Sequence, residues 1–412
     1  RRWRALDRNV TTTALPYRYL LGPAFVAAID YVDPGNIAAN DSAGSEFGFL
    51  LVWVIVAANA MAGLVQYLSA KLGLVTGRTL PEAVRDRTGT PARIGYWVQA
   101  ELVAIATDLA EVIGGAIALY LLFDLPLLLG GVITGVVSLL LLAVGDQRGQ
   151  RVFERVITGL LLVITIGFLA SLVVNPPAAA DVAGGLVPRF DGVQSVLLAT
   201  AMLGATVMPH AVYLHSGLAR DRHGHPAPGA ERATLLRATR WDVGLAMLVA
   251  GTVNLSLLLV AATNLRGREG TDTITGAHAA VADTLGPAVA LMFAIGLLAS
   301  GLASTSVGAY AGAMIMQGLL RRSFPLLVRR LITLLPALTV LAAGIDPTRA
   351  LVLSQVVLSF GIPFALIPLV RLTSDRALMG ADVNRRLTTT LGWTVAGLIT
   401  LLNVALIYLT LR

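Results

Sequence analysis

The chain has 412 residues, of which 56% are hydrophobic and only 13% charged, and it contains no cysteine; its mean hydropathy of +0.76 lies outside the range of soluble globular domains. Disulfides, thiolate metal ligands and thiol catalysis are therefore excluded. The formal charge of +7 is better explained by lipid contact and membrane topology than by a nucleic-acid partner, and an all-α polytopic membrane protein is expected.

Runs long enough to cross a hydrocarbon core of about 30 Å fall at 20–41, 47–70, 96–123, 125–144, 153–174, 194–219, 241–263, 287–319, 329–346, 348–372 and 389–410. Eleven transmembrane helices follow. The first run lacks a convincing small-residue cleavage site and reads as a permanent helix rather than a signal peptide; the absence of a methionine before Arg1 suggests a trimmed N-terminus. The N-terminus and the alternate loops 70–95, 145–155, 220–240, 321–330 and 371–386 hold 26 of the 31 Lys/Arg residues. Arg189, Arg266, Arg268, Arg349 and Arg412 lie on the other side. The positive-inside rule then puts the N-terminus in the cytoplasm and the C-terminus outside, in the inner (plasma) membrane.

Span one contains "AIDYVDPGNIAAN" at 28–40. Pro34 has no N–H for the carbonyl of Asp30, and Gly35 loosens the next turn, so the helix must unwind there. Span three, "YWVQAELVAIATDLAEVIGGAIALYLLF", carries Glu101, Asp108 and Glu111. Spacings of seven and three put them broadly along one side of a helix, as a proton relay requires; ion pairing with Arg329 and Arg330, at the start of span nine, is the structural alternative, and both roles are compatible. In span six, "LGATVMPHAVYLHS" at 203–216, Pro209 frees the carbonyl of Ala205, with Met208 and His210 on either side. The longest connection, 219–240, is turn-rich with an amphipathic piece, and its His223 and His225 form an H-x-H pair better read as solvated loop residues than as a metal site. No separate soluble domain is visible, so the whole chain, 1–412, reads as one transporter domain.

Unpaired backbone at membrane depth is tolerated where it is buried in protein or lines a cavity. The breaks occupy corresponding positions if spans 1–5 (about 20–174) and 6–10 (about 194–372) are two copies of a five-helix unit, with 389–410 as an extra helix. An odd number of spans inverts the second copy, the plan of secondary transporters that hold substrate between discontinuous helices at the midplane.

The groups at the breaks are all electron-pair donors: the Asp33 carboxylate, the Asn36 amide oxygen, the carbonyls of residues 30 and 205, and the Met208 thioether. They call for a cation, and one soft sulfur among hard oxygens favours a divalent transition metal over calcium or magnesium. Met208 alone would read as membrane packing, but beside a helix-breaking proline and opposite an acidic break a ligand role is preferred. Asp33 as a merely structural acid would carry a mid-bilayer cost of roughly 2.5–3.5 kcal/mol, which makes function the default.

"DPGN" at 33–36, "GATVMPH" at 204–210 and "QAELVAIATDLAE" at 99–111 together resemble the Nramp metal-ion transporters, as do "SAKLG" after span two, "RRLIT" at 329–333 and "LSQVVLSFGIPFA" at 353–365. The resemblance spans essentially the whole chain. It implies a LeuT-type fold with broken helices 1 and 6, and proton-driven import of manganese and iron(II), often with cadmium, cobalt and zinc. Asp33, Asn36 and Met208 would be side-chain ligands, joined in different states by the carbonyls of Ala205 and residue 30. His210, Glu101, Asp108, Glu111, Arg329 and Arg330 would belong to the proton path, and Gln355 to the gate or the metal site. The metal is then a transported substrate and the proton a co-substrate, with no cofactor; a monomer is compatible with the sequence.

Asp30 departs from the pattern, since family members commonly carry alanine there. A second carboxylate one turn before Asp33 either joins the cation or shares a proton with Asp33, raising affinity for harder ions, or it stands in a wet vestibule as an attractor with Asp41 and Glu46. A sodium-coupled amino-acid carrier would also break its first helix, but Asp33 would repel a substrate carboxylate. A metalloenzyme lacks an H-E-x-x-H motif, and His210 and His215 are too few. A channel is harder to set aside by sequence.

Overall fold

The computed structural model describes residues 22–148, 172–268, 270–271, 273–322 and 325–412, with single positions between 159 and 169. Predicted span five lies largely outside the described residues. Each of the other predicted spans falls on a helix, and no strand occurs among the described residues. Seven helical segments there are long and apolar enough to cross a membrane, as expected of a multi-pass membrane protein.

The first predicted span is three pieces: α1 (Pro23–Ala28), a 3-10 turn (Ile29–Val32) and α2 (Pro34–Phe47). Asp33 between them is extended, with φ −73° and ψ 168°. Next come α3 (Val52–Thr76), α4 (Leu80–Arg85), α5 (Thr90–Phe123) and α6 (Leu127–Arg148). The sixth predicted span is divided into α8 (Gly192–Thr206) and α9 (Pro209–His223), preceded by the short α7 (Ala179–Gly184). The remaining helices are α10 (Ala230–Asn264), α11 (Ile274–Leu285), α12 (Pro287–Leu320), α13 (Leu326–Ala342), α14 (Pro347–Thr373) and α15 (Arg386–Leu411).

Local chemistry sets most of these boundaries. Proline occupies the first turn of α2, α9, α12 and α14, where its missing N–H costs nothing. Thr79 and Glu82 form a reciprocal capping box at α4, with the Thr79 N–H donating to Glu82 Oε2 at 2.8 Å. Helix α3 stops at Gly77, whose φ of 68° favours glycine.

Several elements differ from the sequence reading. Helix α10 begins eleven residues before the predicted span, because the amphipathic piece of the 219–240 connection is its first turns, buried on one face at Arg232, Leu235, Leu236 and Thr239, rather than a separate element. Helix α11 was not anticipated; it is a short helix between two predicted spans. Lys71, assigned to a loop, lies inside α3.

Helix α12 packs along α5, α10 along α2, α14 along α8 and α9 along α3. The broken helices are thereby enclosed: every residue from Ala38 to Ser45 of α2 and from Pro209 to Ala219 of α9 is buried. Large apolar side chains of α15, such as Leu401, Val404 and Tyr408, are instead exposed, as lipid-facing residues are in a membrane bundle.

Candidate functional site

Each proline in the interior frees a carbonyl, and the structure supplies donors to most of them. At the second break the Ala205 carbonyl accepts from Asn36 Nδ2 at 2.8 Å. Around the first break, the Tyr31 carbonyl accepts from Asn254 Nδ2 at 2.7 Å and the Val32 carbonyl accepts from Ser300 Oγ. In α14, Pro363 and Pro368 free the carbonyls of Ser359 and Phe364. Asn403 Nδ2 donates to the first at 2.9 Å and the Tyr213 hydroxyl to the second at 3.3 Å. Unsatisfied backbone in hydrocarbon is thus replaced by side-chain bonds between helices.

Against this near-complete pairing, a few orphaned oxygens stand out. Asp33 Oδ1 accepts from the Asn36 N–H at 2.7 Å and from Asn36 Nδ2 at 3.1 Å, but Asp33 Oδ2 is buried without a hydrogen-bond partner among the described residues. Since Nδ2 of Asn36 faces two acceptors, its amide oxygen is turned away from them, and that oxygen is also buried and unpartnered. Gln355, on α14, lies directly against Gly35; a side chain at Gly35 would occupy the space of its amide. Its Nε2 donates to Ser354 Oγ at 3.1 Å, and its Oε1 is the third orphan. With Asp30 Oδ1, also buried and unpartnered in the adjoining turn, these acceptor oxygens at one helix break lack a donor, which is costly unless a cation or water meets them.

Met208 is fully buried at the start of α9. The Ala205 carbonyl, a candidate ligand, is engaged by Asn36 in this conformation and has one lone pair left. Among the described residues no group of three or more His, Cys, Asp or Glu is arranged to hold a metal ion. The donor set here draws instead on amide, carbonyl and thioether groups.

Asp30 is buried rather than open to a wet vestibule. It sits in the 3-10 turn, 1% exposed, with Oδ2 at 3.2 Å from His210 Nε2, so it ties the turn of the first break to the helix that follows the second. Asp41 is buried in α2, whereas Glu46 is exposed and lines a cleft of about 660 Å³ with Asp181, Asp191, Arg189 and Arg266. His210 Nδ1 lies 3.4 Å from Thr107 Oγ1 on α5, beside Asp108. Arg330, 2% exposed, pairs with Asp108, lies 3.6 Å from Glu111 Oε2, and donates to Ser138 Oγ and Thr305 Oγ1 at 3.2 Å each. Arg329 grips Glu101 with two bonds of 3.1 and 3.2 Å and its guanidinium lies against Gly312 of α12, so that a side chain there would push it aside. All three acids of α5 thus meet the two arginines of α13 by charge-assisted contacts.

Sequence reading missed a polar chain beneath the site. Tyr31 accepts from Gln66 Nε2, and Gln66 Oε1 lies 2.7 Å from His215 Nδ1. Its signal was present as a glutamine within an apolar span, without a motif to mark it. His225 of the H-x-H pair meets the Leu74 carbonyl at 3.1 Å, which gives it a structural role at the end of α3.

Two interrupted helices enclosed by a bundle, with orphaned acceptors at one interruption, define a membrane transporter of the LeuT type. A structure of Mhp1, a nucleobase-cation-symport-1 family transporter, shares this fold at TM-score 0.60 and 17% identity, covering 97% of this chain and 96% of the other. Residues 24–409 match the family model described as Nramp, natural resistance-associated macrophage protein-like; the chain belongs to the Nramp family. It is 72% identical over 405 residues to the divalent metal cation transporter MntH of Mycobacterium tuberculosis, covering 98% of this chain and 95% of that one. A crystal structure of the manganese transporter of Eremococcus coleocola, in complex with an aromatic bis-isothiourea compound, superposes with TM-score 0.84 at 33% identity, covering 97% and 90% of the two chains.

Proposed function

We propose that this chain imports divalent transition-metal ions, manganese foremost and also iron(II), cadmium, cobalt and zinc, coupled to protons by alternating access between two inverted five-helix repeats. One observation carries the reading: Asp33 Oδ2, Asn36 Oδ1 and Gln355 Oε1 are buried acceptors without donors at the break of helix one. A dehydrated divalent cation satisfies such a set, and the Met208 thioether at the second break favours a softer ion than calcium or magnesium. The names of the MntH and manganese-transporter relatives agree with this.

Asp30, His210, Thr107 and the acids of α5 with Arg329 and Arg330 offer a route for protons away from the metal: Asp30 meets His210, His210 meets Thr107, and on the same helix as Thr107 the acids meet the two arginines. The arginine-rich loops favour an inner-membrane protein with its N-terminus in the cytoplasm and its C-terminus outside. A second reading, the same carrier with a taste for harder divalent ions, is favoured by the extra carboxylate of Asp30 beside the site.

The test is uptake into proteoliposomes across a panel of divalent ions with internal pH recorded in parallel. Saturable manganese and cadmium uptake with acidification, and exclusion of magnesium and calcium, is the expected outcome. Manganese flux without proton movement would remove the coupling. Transport of a zwitterionic amino acid with no metal flux would replace the reading with an amino-acid symporter.

A further inference from the structure

Lys71 is only 7% exposed, and its Nζ donates to Asn384 Oδ1 at 2.9 Å. That partner is a neutral amide, and the carboxylate whose charge reaches the ammonium, Asp382, already pairs with Arg232. A cleft of about 420 Å³ opens beside it, between the end of α3, the first turns of α10 and the connection entering α15. These are the ends of helices that join the arginine-rich loops.

The cleft wall carries Lys71, Arg240 and Arg385 against one carboxylate, Asp382. Asp382 is already paired with Arg232 at 3.2 Å. The Arg240 guanidinium rests over the Tyr67 ring at 5.1 Å from its centroid, and neither Arg240 nor Arg385 forms an ion pair with a carboxylate among the described residues. A three-cation concavity with one committed anion has charge to share with a ligand.

The same cleft has an apolar side. Leu64 lines it from α3 and Leu387, 70% exposed, from the first turn of α15. Tyr67 stands between the charged and the apolar parts, as aromatic rings do at a membrane–water interface. A soluble anion would gain nothing from an exposed leucine, whereas a lipid fills both halves.

We propose that this cleft binds the phosphate headgroup of an anionic phospholipid, with its acyl chains running along the outside of α3 and α15 past Leu64 and Leu387. Basic pockets between membrane helices recognise anionic headgroups in this way. The site is separate from the helix breaks and does not depend on the metal reading.

The experiment measures thermal stability of the purified full chain in detergent, titrated with phosphatidylglycerol, phosphatidylcholine or inorganic phosphate; a ligand of the folded state raises the melting temperature in proportion to its affinity. Phosphatidylglycerol should stabilise the parent where the other two do not. Arg240→Gln with Arg385→Gln should weaken the apparent affinity by about tenfold or more, whereas Arg322→Gln with Arg376→Gln, an equal loss of charge elsewhere on that side, should leave it unchanged. Thr388→Glu, which keeps both arginines but sets a carboxylate in the cleft, should weaken it as well, and decides the matter if the double variant folds poorly. Undiminished phosphatidylglycerol stabilisation in the cleft variants would overturn the site. Equal stabilisation of the parent by inorganic phosphate would overturn the lipid.

Discussion

At the first break Asp33 caps α2 with its own carboxylate, accepting the Asn36 N–H at 2.7 Å, whereas at the second break Met208 begins α9 and no side chain caps it. The second break is instead secured from across the site, where Asn36 Nδ2 holds the Ala205 carbonyl at 2.8 Å. For the Asn36–Ala205 bond dependence runs one way, although His210 returns a contact to Asp30 Oδ2 at 3.2 Å. The segment from Asp30 to Asn36 supplies the negative charge, its own helix cap and the brace for its counterpart; the segment from Ala205 to His210 supplies a carbonyl, a thioether and an imidazole. Charge with rigidity on one side and softness on the other is a division suited to a cation that must first be dehydrated and then discriminated.

The largest effect should come from the charged side. Asp33→Ala should nearly abolish manganese uptake; since disturbing groups behind a metal ligand already costs about 10–100-fold, loss of the principal anion should exceed that. Asp33→Asn separates charge from capping, because asparagine caps about as well as aspartate. It should lose transport equally while melting near the parent, whereas Asp33→Ala should also lose about 1 kcal/mol of stability. Near-normal flux in either variant would remove the centre of the reading.

Asn36→Leu tests the brace. It leaves the Ala205 carbonyl without its donor, and a destabilisation of about 1–3 kcal/mol is expected on that ground, read by denaturant titration in detergent. Met208→Leu, which orphans nothing, should cost less than about 1.5 kcal/mol. Equal losses in the two variants would contradict the one-way dependence.

Met208→Ala addresses softness alone. Manganese uptake should remain measurable while calcium and magnesium begin to enter, because the thioether contributes little to manganese but takes the place of a hard oxygen that alkaline-earth ions prefer. Continued exclusion of calcium would move selectivity elsewhere, with Asp30 the first place to look. The smallest effect is expected from Asp30→Ala, which removes the contact with His210. The ranking of manganese, magnesium and cadmium should shift toward cadmium and the accompanying acidification should change; an unchanged ranking and unchanged acidification would make Asp30 a bystander.

Both helix breaks were legible from Pro34 and Pro209, because a missing N–H is a local fact that tertiary packing cannot restore. The pairing of the α5 acids with Arg329 and Arg330 was legible too, since charges inside an apolar bundle have few other partners. The same proline argument applies to Pro336, Pro363 and Pro368, which nevertheless remain inside continuous helices; what separates these from the two breaks lies in packing between distant segments, which sequence order conceals. Gln355 as a neighbour of Gly35, and Asn36 as the partner of Ala205, are likewise products of packing between distant segments. Lys71 was misassigned because a loop boundary was drawn at the first charge, whereas a long cationic side chain is accommodated within a helix when an amide such as Asn384 receives it.

The bond from Asn403 to the Ser359 carbonyl has a consequence for how the chain is made. During synthesis α14 emerges before α15, and the carbonyl released by Pro363 then has no donor in α14 itself. Its mate arrives with α15, where Asn403 both donates to that carbonyl and accepts from the Ser359 hydroxyl at 2.8 Å. Folding thus leaves an open position in α14 that the arrival of α15 closes.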